Sequence, residues 1–137
     1  MNATVLYRIA AVLFVLFAAG HTFGFLKFKP PTSEGVAVRD AMKNVQFRVD
    51  GRDYSYGGFY TGFGLYTTVY LLFSALLAWH LGNLAATSPH AVGVVGWAFF
   101  AVQVIGLALS WVYFFPVPAI LSAVIAICLG LASWFTK

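Results

Sequence analysis

The sequence predicts an all-α fold: a polytopic membrane protein built as an antiparallel bundle of four transmembrane helices, with a small structured loop between helices 1 and 2. Two observations lead to this prediction. First, 61% of the residues are hydrophobic and 9% are charged, whereas soluble domains contain about 25% charged residues. Second, no formally charged residue occurs from Tyr54 to Thr136, and a soluble domain of this size could not bury so long a segment.

Four apolar segments are long enough to cross a bilayer, which takes about 20 residues of helix for ~30 Å of hydrocarbon. They cover residues 5–25, 59–81, 91–113 and 118–135. Together with the loop 29–58, we assign them to a single domain of residues 1–137. The segment from Gly82 to His90 is expected to be the second loop. Only residues 114–117 separate the last two spans, which predicts an antiparallel helix pair.

The charged residues predict the orientation of the chain. Six basic residues lie in or beside the first loop, namely Lys27, Lys29, Arg39, Lys43, Arg48 and Arg52, and Arg8 and Lys137 remain for the other side. The positive-inside rule then predicts a multi-pass protein of the inner cell membrane with the loop 29–58 in the cytoplasm. Because acidic residues are interleaved with these bases, we expect contact with lipid headgroups and membrane lipids, and no nucleic acid partner.

The loop 29–58 is too long for a plain connection, so we expect it to contain secondary structure of its own. Thr32 or Ser33 can cap a short helix in which Val38, Met42 and Val45 recur at helical spacing. After that helix, apolar and polar residues alternate on both sides of Asp50-Gly51. This pattern predicts a small β-hairpin.

His21 is the most unusual residue of the predicted spans, since ionisable groups there are rare and are functional candidates by default. One interpretation makes it a proton donor, proton acceptor or ligand contact, with Glu34, Asp53, Tyr54 or Tyr56 as partners. The other interpretation makes it one side of an interhelical hydrogen bond. The sequence leaves both open.

The second span carries an aromatic stripe at spacings of four and three residues: Phe59, Phe63, Tyr66, Tyr70, Phe73 and Leu77. Such a stripe can line a groove for a flat hydrophobic molecule, or it can pack on helices or lipid. The predicted ligand-binding set is therefore His21, Glu34, Asp53, Tyr56, Tyr60, Phe63, Tyr66 and Tyr70. We also expect close helix packing at Gly20 with Gly24 and at Gly58 with Gly62, and a hydrogen bond from Gln103 to Tyr66, Tyr70 or Ser74.

The sequence lacks the residues and motifs that several classes of membrane protein and enzyme require. The predicted spans contain no Asp or Glu, which proton-coupled exporters need within a span. They also offer no ring of charged residues for an ion channel. GxSxG, a Gly-rich phosphate loop and CxxCH are absent, and no metal site is expected. No cofactor can be named from the sequence.

The segments GHTFG at residues 20–24 and FYTGFGL at residues 59–65 resemble those of a family of small, uncharacterised four-helix bacterial membrane proteins with HTFG and FYxGFGL-like segments. The likeness spans most of helices 1 and 2. An aromatic and an acidic residue precede the FY pair in that family, whereas Gly57 and Gly58 stand there in this chain. The resemblance implies that His21 and the start of the second span form one recurring feature.

Three functional hypotheses remain. The favoured one is an accessory subunit of a larger membrane assembly that binds a hydrophobic ligand, such as a lipid, a quinone or a pigment. The second is a small membrane enzyme that acts on a lipid or isoprenoid, with His21 as acid or base and Glu34, Asp53 and Tyr60 closing the site. The third is a homo-oligomeric carrier or pore.

Overall fold

The computed structural model describes residues 2–137, and within them 82% of the chain is helical. The described residues form five α-helices: α1 (Ala3–Lys27), α2 (Ser33–Asn44), α3 (Tyr56–Thr87), α4 (Gly93–Tyr113) and α5 (Pro116–Trp134). Two short strands, β1 (Gln46–Val49) and β2 (Arg52–Ser55), lie between α2 and α3. By length and composition, α1, α3, α4 and α5 could each cross a membrane. The all-α prediction is therefore confirmed at this level.

The second predicted span is longer than expected. Helix α3 continues through Gly82 to Thr87, so most of the expected second loop is helical, and only a short turn of 3-10 helix at Pro89–Ala91 separates α3 from α4. Gly82 suggested a helix end. In the structure it is buried, and a Cβ there would lie 3.3 Å from Tyr7 Cβ and 3.4 Å from the Thr4 carbonyl oxygen. The glycine thus allows a close approach by α1 and does not mark a turn.

The chain divides into two compact units, which are described separately. The first unit combines the residues up to Phe17 with Leu71–Lys137, and the second unit is Ala18–Tyr70. In the first unit, α4 and α5 form the predicted antiparallel pair. Gln103 Nε2 donates a hydrogen bond to the Ser122 carbonyl oxygen over 3.2 Å. The expected bonds from Gln103 to Tyr66, Tyr70 or Ser74 are wrong, because the amide, which is only 5% exposed, faces α5.

The beginning of α1 completes the core of the first unit. The Tyr7 hydroxyl lies 2.9 Å from Ser133 Oγ, and the Phe14 ring stacks on Phe99 with centroids 5.6 Å apart. Both Tyr7 and Phe14 are fully buried. Gly96 makes room for this contact, since a Cβ on it would lie 2.6 Å from the Tyr7 hydroxyl oxygen and 2.8 Å from Ser133 Oγ. The contact between Tyr7 and Ser133 therefore requires glycine at position 96.

The second unit contains the structured loop, whose predicted elements are both present. Thr32 caps α2, because its hydroxyl oxygen accepts a hydrogen bond from the Gly35 amide over 3.1 Å. Strands β1 and β2 pair antiparallel around Asp50 and Gly51, which have φ angles of 48° and 77°. Two successive positive φ angles are typical of a type I′ turn, which Asp-Gly favours. Strand β2 passes into α3 with no residue between them.

Gly96→Ala should destabilise the first unit, because the added Cβ overlaps the buried Tyr7 and Ser133 hydroxyls. We expect a loss of about 1–3 kcal/mol in the free energy of unfolding, measured by thermal or SDS unfolding in detergent micelles. Gly106→Ala in the same helix is the matched control. A Cβ there meets no atom within 4 Å, so this variant should be neutral or up to about 1 kcal/mol more stable. Equal effects of the two variants would contradict the packing described for Gly96.

Candidate functional site

His21 belongs to a contact between the end of α1 and the beginning of α3 in the second unit. Its Nε2 lies 3.0 Å from the Gly64 carbonyl oxygen. One residue further along α1, the Thr22 hydroxyl lies 2.8 Å from the hydroxyl of Thr68 on α3. Thr68 also donates to the Gly64 carbonyl oxygen over 3.3 Å. Two polar contacts therefore connect α1 with neighbouring turns of α3.

Phe25 fills the apolar part of this contact. Its ring stacks on the His21 ring with a centroid distance of 5.7 Å and lies 5.4 Å from the Tyr60 ring. A Cβ on Gly64 would overlap the Phe25 ring. We call His21, Thr22, Phe25, Tyr60, Gly64 and Thr68 the His21 contact. The α1 residues His21 and Phe25 are one turn apart, as are Tyr60, Gly64 and Thr68 on α3, so each helix contributes one face.

The contact with Gly64 fixes the role of one nitrogen of the His21 ring. A carbonyl oxygen can only accept, so Nε2 of His21 donates the hydrogen bond to Gly64. Within residues 2–137, no hydrogen bond or ion pair joins His21 to Glu34 or Asp53. The structure thus shows the interhelical hydrogen bond that was one of the two interpretations of His21.

The acidic members of the predicted set lie in other contacts. Asp53 forms an ion pair with Arg48 across the hairpin, with Oδ1 and Nε 3.1 Å apart, and the two residues are direct partners in the strand register. Glu34 is at the first turn of α2. Within the part of the chain that the structure describes, no group of three or more His, Cys, Asp or Glu side chains could hold a metal ion.

A second cluster joins the hairpin to α3. The Phe47 ring on β1 lies 6.0 Å from Tyr54, 5.0 Å from Tyr56 and 5.9 Å from Phe59. Phe59 in turn meets Phe63 edge-on at 5.4 Å. We call Phe47, Tyr54, Tyr56, Phe59 and Phe63 the aromatic ladder. It places the predicted ligand residues Tyr56 and Phe63 in one connected series of rings.

The aromatic stripe and the His21 contact occupy different faces of α3. At about 100° per residue, the face of Phe59, Phe63, Tyr66 and Tyr70 is turned roughly 130° from the face of Tyr60, Gly64 and Thr68. Phe59, Phe63 and Tyr66 are 54%, 65% and 73% exposed. Of the predicted ligand set, His21 and Tyr60 meet through Phe25, whereas Tyr56 and Phe63 belong to the separate aromatic ladder.

Phe25 and Phe47 were missing from the predicted set, although both connect its members. The spacing of four residues between His21 and Phe25 was the available signal for the first. The alternation of Phe47 with polar residues in β1 was the signal for the second. The expected glycine pairs are also wrong at three positions, since Cβ atoms on Gly20, Gly24 and Gly62 would meet no atom within 4 Å. Gly64 permits the close approach of α1 and α3 in this unit, and Gly57 permits that of α2, since a Cβ there would lie 3.1 Å from the Met42 carbonyl oxygen.

The pKa of Glu34 lies below its ordinary value of 4.5, chiefly because its own backbone amide donates a hydrogen bond to the carboxylate, as do the Ser33 and Thr32 hydroxyls. This carboxylate therefore stabilises the first turn of α2. Because the pKa is lower in the folded chain than in the unfolded chain, the stabilisation is complete above pH 4.5 and is lost as pH falls through the folded-state pKa.

We expect the Glu34 carboxyl to titrate below pH 4.5 in NMR spectra, and hydrogen exchange of the first α2 amides to accelerate through the same pH range. In Glu34→Gln, the exchange protection of these amides should no longer change in that range. The variant Asp40→Asn is the control, since it leaves the first turn intact and should retain the pH dependence. A Glu34 titration above pH 4.5 would contradict the described contacts.

Gly64→Ala should disrupt the His21 contact, because the new methyl group displaces Phe25 from its place between His21 and Tyr60. We expect a loss of about 1–3 kcal/mol in the free energy of unfolding and a change in the ¹⁵N shifts of the His21 ring. Gly62→Ala, two residues away in open space, should be neutral or up to about 1 kcal/mol stabilising. If the His21 shifts respond equally to both variants, the contact is not as described.

Comparison with known proteins provides no relative for this site. No protein-family model matches the chain, and no curated protein or solved structure shows significant similarity to it.

Proposed function

We propose that the chain is a multi-pass protein of the cell membrane that serves as a non-catalytic accessory subunit and binds a flat hydrophobic molecule of the quinone or pigment type. In this proposal α1, α3, α4 and α5 cross the bilayer as an antiparallel bundle, and the loop 29–58 with α2 and the hairpin faces the cytoplasm. The aromatic ladder, with Tyr66 and Tyr70 beyond it on α3, is the binding surface.

The composition of the exposed surface supports membrane insertion. Large apolar side chains are exposed on all four long helices, for example Leu16 on α1, Leu76 on α3, Ile105 on α4 and Ile127 on α5, each between 59% and 67% exposed. In water such a surface would be strongly unfavourable, whereas lipid solvates it. The backbone of a helix is also satisfied internally, as the hydrocarbon layer requires.

The exposure of the aromatic ladder is the observation that carries the binding proposal. Its rings are ordered by contacts with one another, and the faces of Phe59 and Phe63 remain accessible. Aromatic pairs contribute about 0.5–1.5 kcal/mol beyond the burial of area, so a flat ligand stacked on several preordered rings gains from each. The tyrosine hydroxyls supply hydrogen-bond donors at the edge of such a ligand.

The environment of His21 supports a positioning role over an enzymatic one. A general acid or base needs its reactive nitrogen within reach of the substrate, and Nε2 is directed to the Gly64 carbonyl oxygen. The competing hypothesis of an enzyme for lipids or isoprenoids would have to use Nδ1 without help from Glu34 or Asp53. A homo-oligomeric carrier or pore would need polar side chains that converge between copies, and the aromatic ladder offers few.

The binding proposal is tested by purifying the protein in mild detergent, recording the absorption spectrum and identifying extracted molecules by mass spectrometry. We expect a quinone or pigment to copurify. In the double variant Phe63→Leu, Tyr66→Leu, retention of that molecule should fall about tenfold, since each lost ring removes about 0.5–1.5 kcal/mol. Binding can be quantified by titrating a short-chain quinone against tyrosine and tryptophan fluorescence.

Phe23→Leu is the matched control, because Phe23 is an equally exposed aromatic residue of α1, at 69%, outside the aromatic ladder. This variant should bind as the unmodified chain does. The proposal is wrong if the purified protein carries only phospholipid and binds no quinone, or if Phe23→Leu lowers binding as much as the double variant. Turnover of an isoprenoid or lipid that vanishes in His21→Gln would favour the enzyme hypothesis.

A further inference from the structure

An apolar groove runs between α1 and α3 in the first unit, separate from the aromatic ladder. It has a volume of about 450 Å³, within the range of ligand-binding clefts. Four residues of each helix line it: Ala11, Val12, Val15 and Leu16 on α1, and Leu72, Ala75, Leu76 and Trp79 on α3. Every lining side chain is apolar except for the indole nitrogen of Trp79.

Arg8 lies next to one end of this groove. Its guanidinium carbon is 5.2 Å from the centroid of the Trp79 ring, which lines the groove. Arg8 Nη2 donates a long hydrogen bond of 3.5 Å to Asn83 Oδ1, one turn beyond Trp79 on α3. The indole face and the amide oxygen thus hold the guanidinium beside the groove, and neither neutralises its charge.

No carboxylate side chain is available to Arg8 in the first unit. All four acidic residues of the sequence, Glu34, Asp40, Asp50 and Asp53, belong to the second unit. Arg8 is exposed, and the fork of N–H groups on a guanidinium matches the oxygens of a phosphate. Arg8 can therefore pair with an anion from outside the unit.

The groove runs in the direction that an acyl chain attached to a headgroup at Arg8 would take. Arg8, Val12 and Leu16 follow one another at intervals of four residues along a single face of α1. From Arg8 to Leu16 the helix rises about 12 Å. A molecule with its anionic group at Arg8 would therefore extend its apolar part along Val12 and Leu16.

We propose that this groove is a binding site for one anionic phospholipid, with the phosphate at Arg8 and part of an acyl chain between α1 and α3. The guanidinium supplies the preference for an anionic over a zwitterionic headgroup, since a zwitterion carries its own cation beside the phosphate. The apolar lining supplies the affinity for the chain. This site does not depend on the proposed quinone or pigment surface, which lies on other residues.

The test uses native mass spectrometry of the full chain in a non-ionic detergent, with equimolar dioleoyl phosphatidylglycerol and dioleoyl phosphatidylcholine. We expect one tightly retained lipid and at least a fivefold preference for phosphatidylglycerol. Arg8→Gln should bring the two lipids to parity, whereas Arg8→Lys should keep part of the preference because it retains the charge but not the fork. Equal retention of both lipids by the unmodified protein overturns the proposal.

Two further variants separate the groove from general attraction of anions. Val12→Trp fills the groove from an exposed position and should lower retention of both lipids at least threefold. Lys137→Gln removes a cation that also lies over a tryptophan ring, that of Trp134 at 4.0 Å, and should leave the preference unchanged. Lipid retention that survives Val12→Trp, or a preference that Lys137→Gln abolishes as fully as Arg8→Gln, excludes the site.

Circular dichroism and thermal unfolding of each variant show whether it is folded. If Arg8→Gln does not fold, Val12→Trp and Arg8→Lys decide the outcome by the same criteria. Inorganic phosphate added at millimolar concentration is a further control. If it displaces phosphatidylglycerol completely, the acyl chain contributes nothing and the groove is not its binding site.

Discussion

Close approach of helices at a few glycines is the constraint on which the contacts of both units depend. At Gly64, Gly82, Gly96 and Gly130, a neighbouring side chain or backbone atom occupies the space that a Cβ would need. Where the backbones come this close, polar side chains can reach the neighbouring helix, as Tyr7 does to Ser133 and as His21 does to the Gly64 carbonyl. In a chain with so few polar groups, such contacts give the helices a defined register that apolar packing alone specifies poorly.

The secondary structure was largely predictable from the sequence because its signals are local. Apolar length, the Thr32 cap and the Asp50-Gly51 turn each act over a few residues, and each element they predicted is present. The boundary of α3 was missed because Gly82 has the same appearance in a sequence whether it ends a helix or admits a neighbouring one. Only the position of α1 beside it, which is set by packing, distinguishes the two.

The candidate site was less predictable because it depends on which face of a helix meets its neighbour. The sequence predicted that His21 on the first span lies near Tyr60 and the start of the aromatic stripe on the second span. It could not predict which face of the second helix meets the first. In the structure the rotation puts Tyr60 and Gly64 towards α1 and leaves Phe63 and Tyr66 on another face. The same limit explains Gln103, whose partner is a backbone carbonyl of α5 that no side-chain pattern could identify.

The direct junction between β2 and α3 fixes the hairpin to the helix. Ser55 ends the strand and caps the helix, since its Oγ accepts a hydrogen bond from the Gly58 amide over 3.0 Å. Phe47 fixes the opposite strand to Phe59 on that helix. Because no residue separates the strand from the helix, the first turn of α3 sets the direction in which the hairpin leaves the helix that carries Phe63 and Gly64.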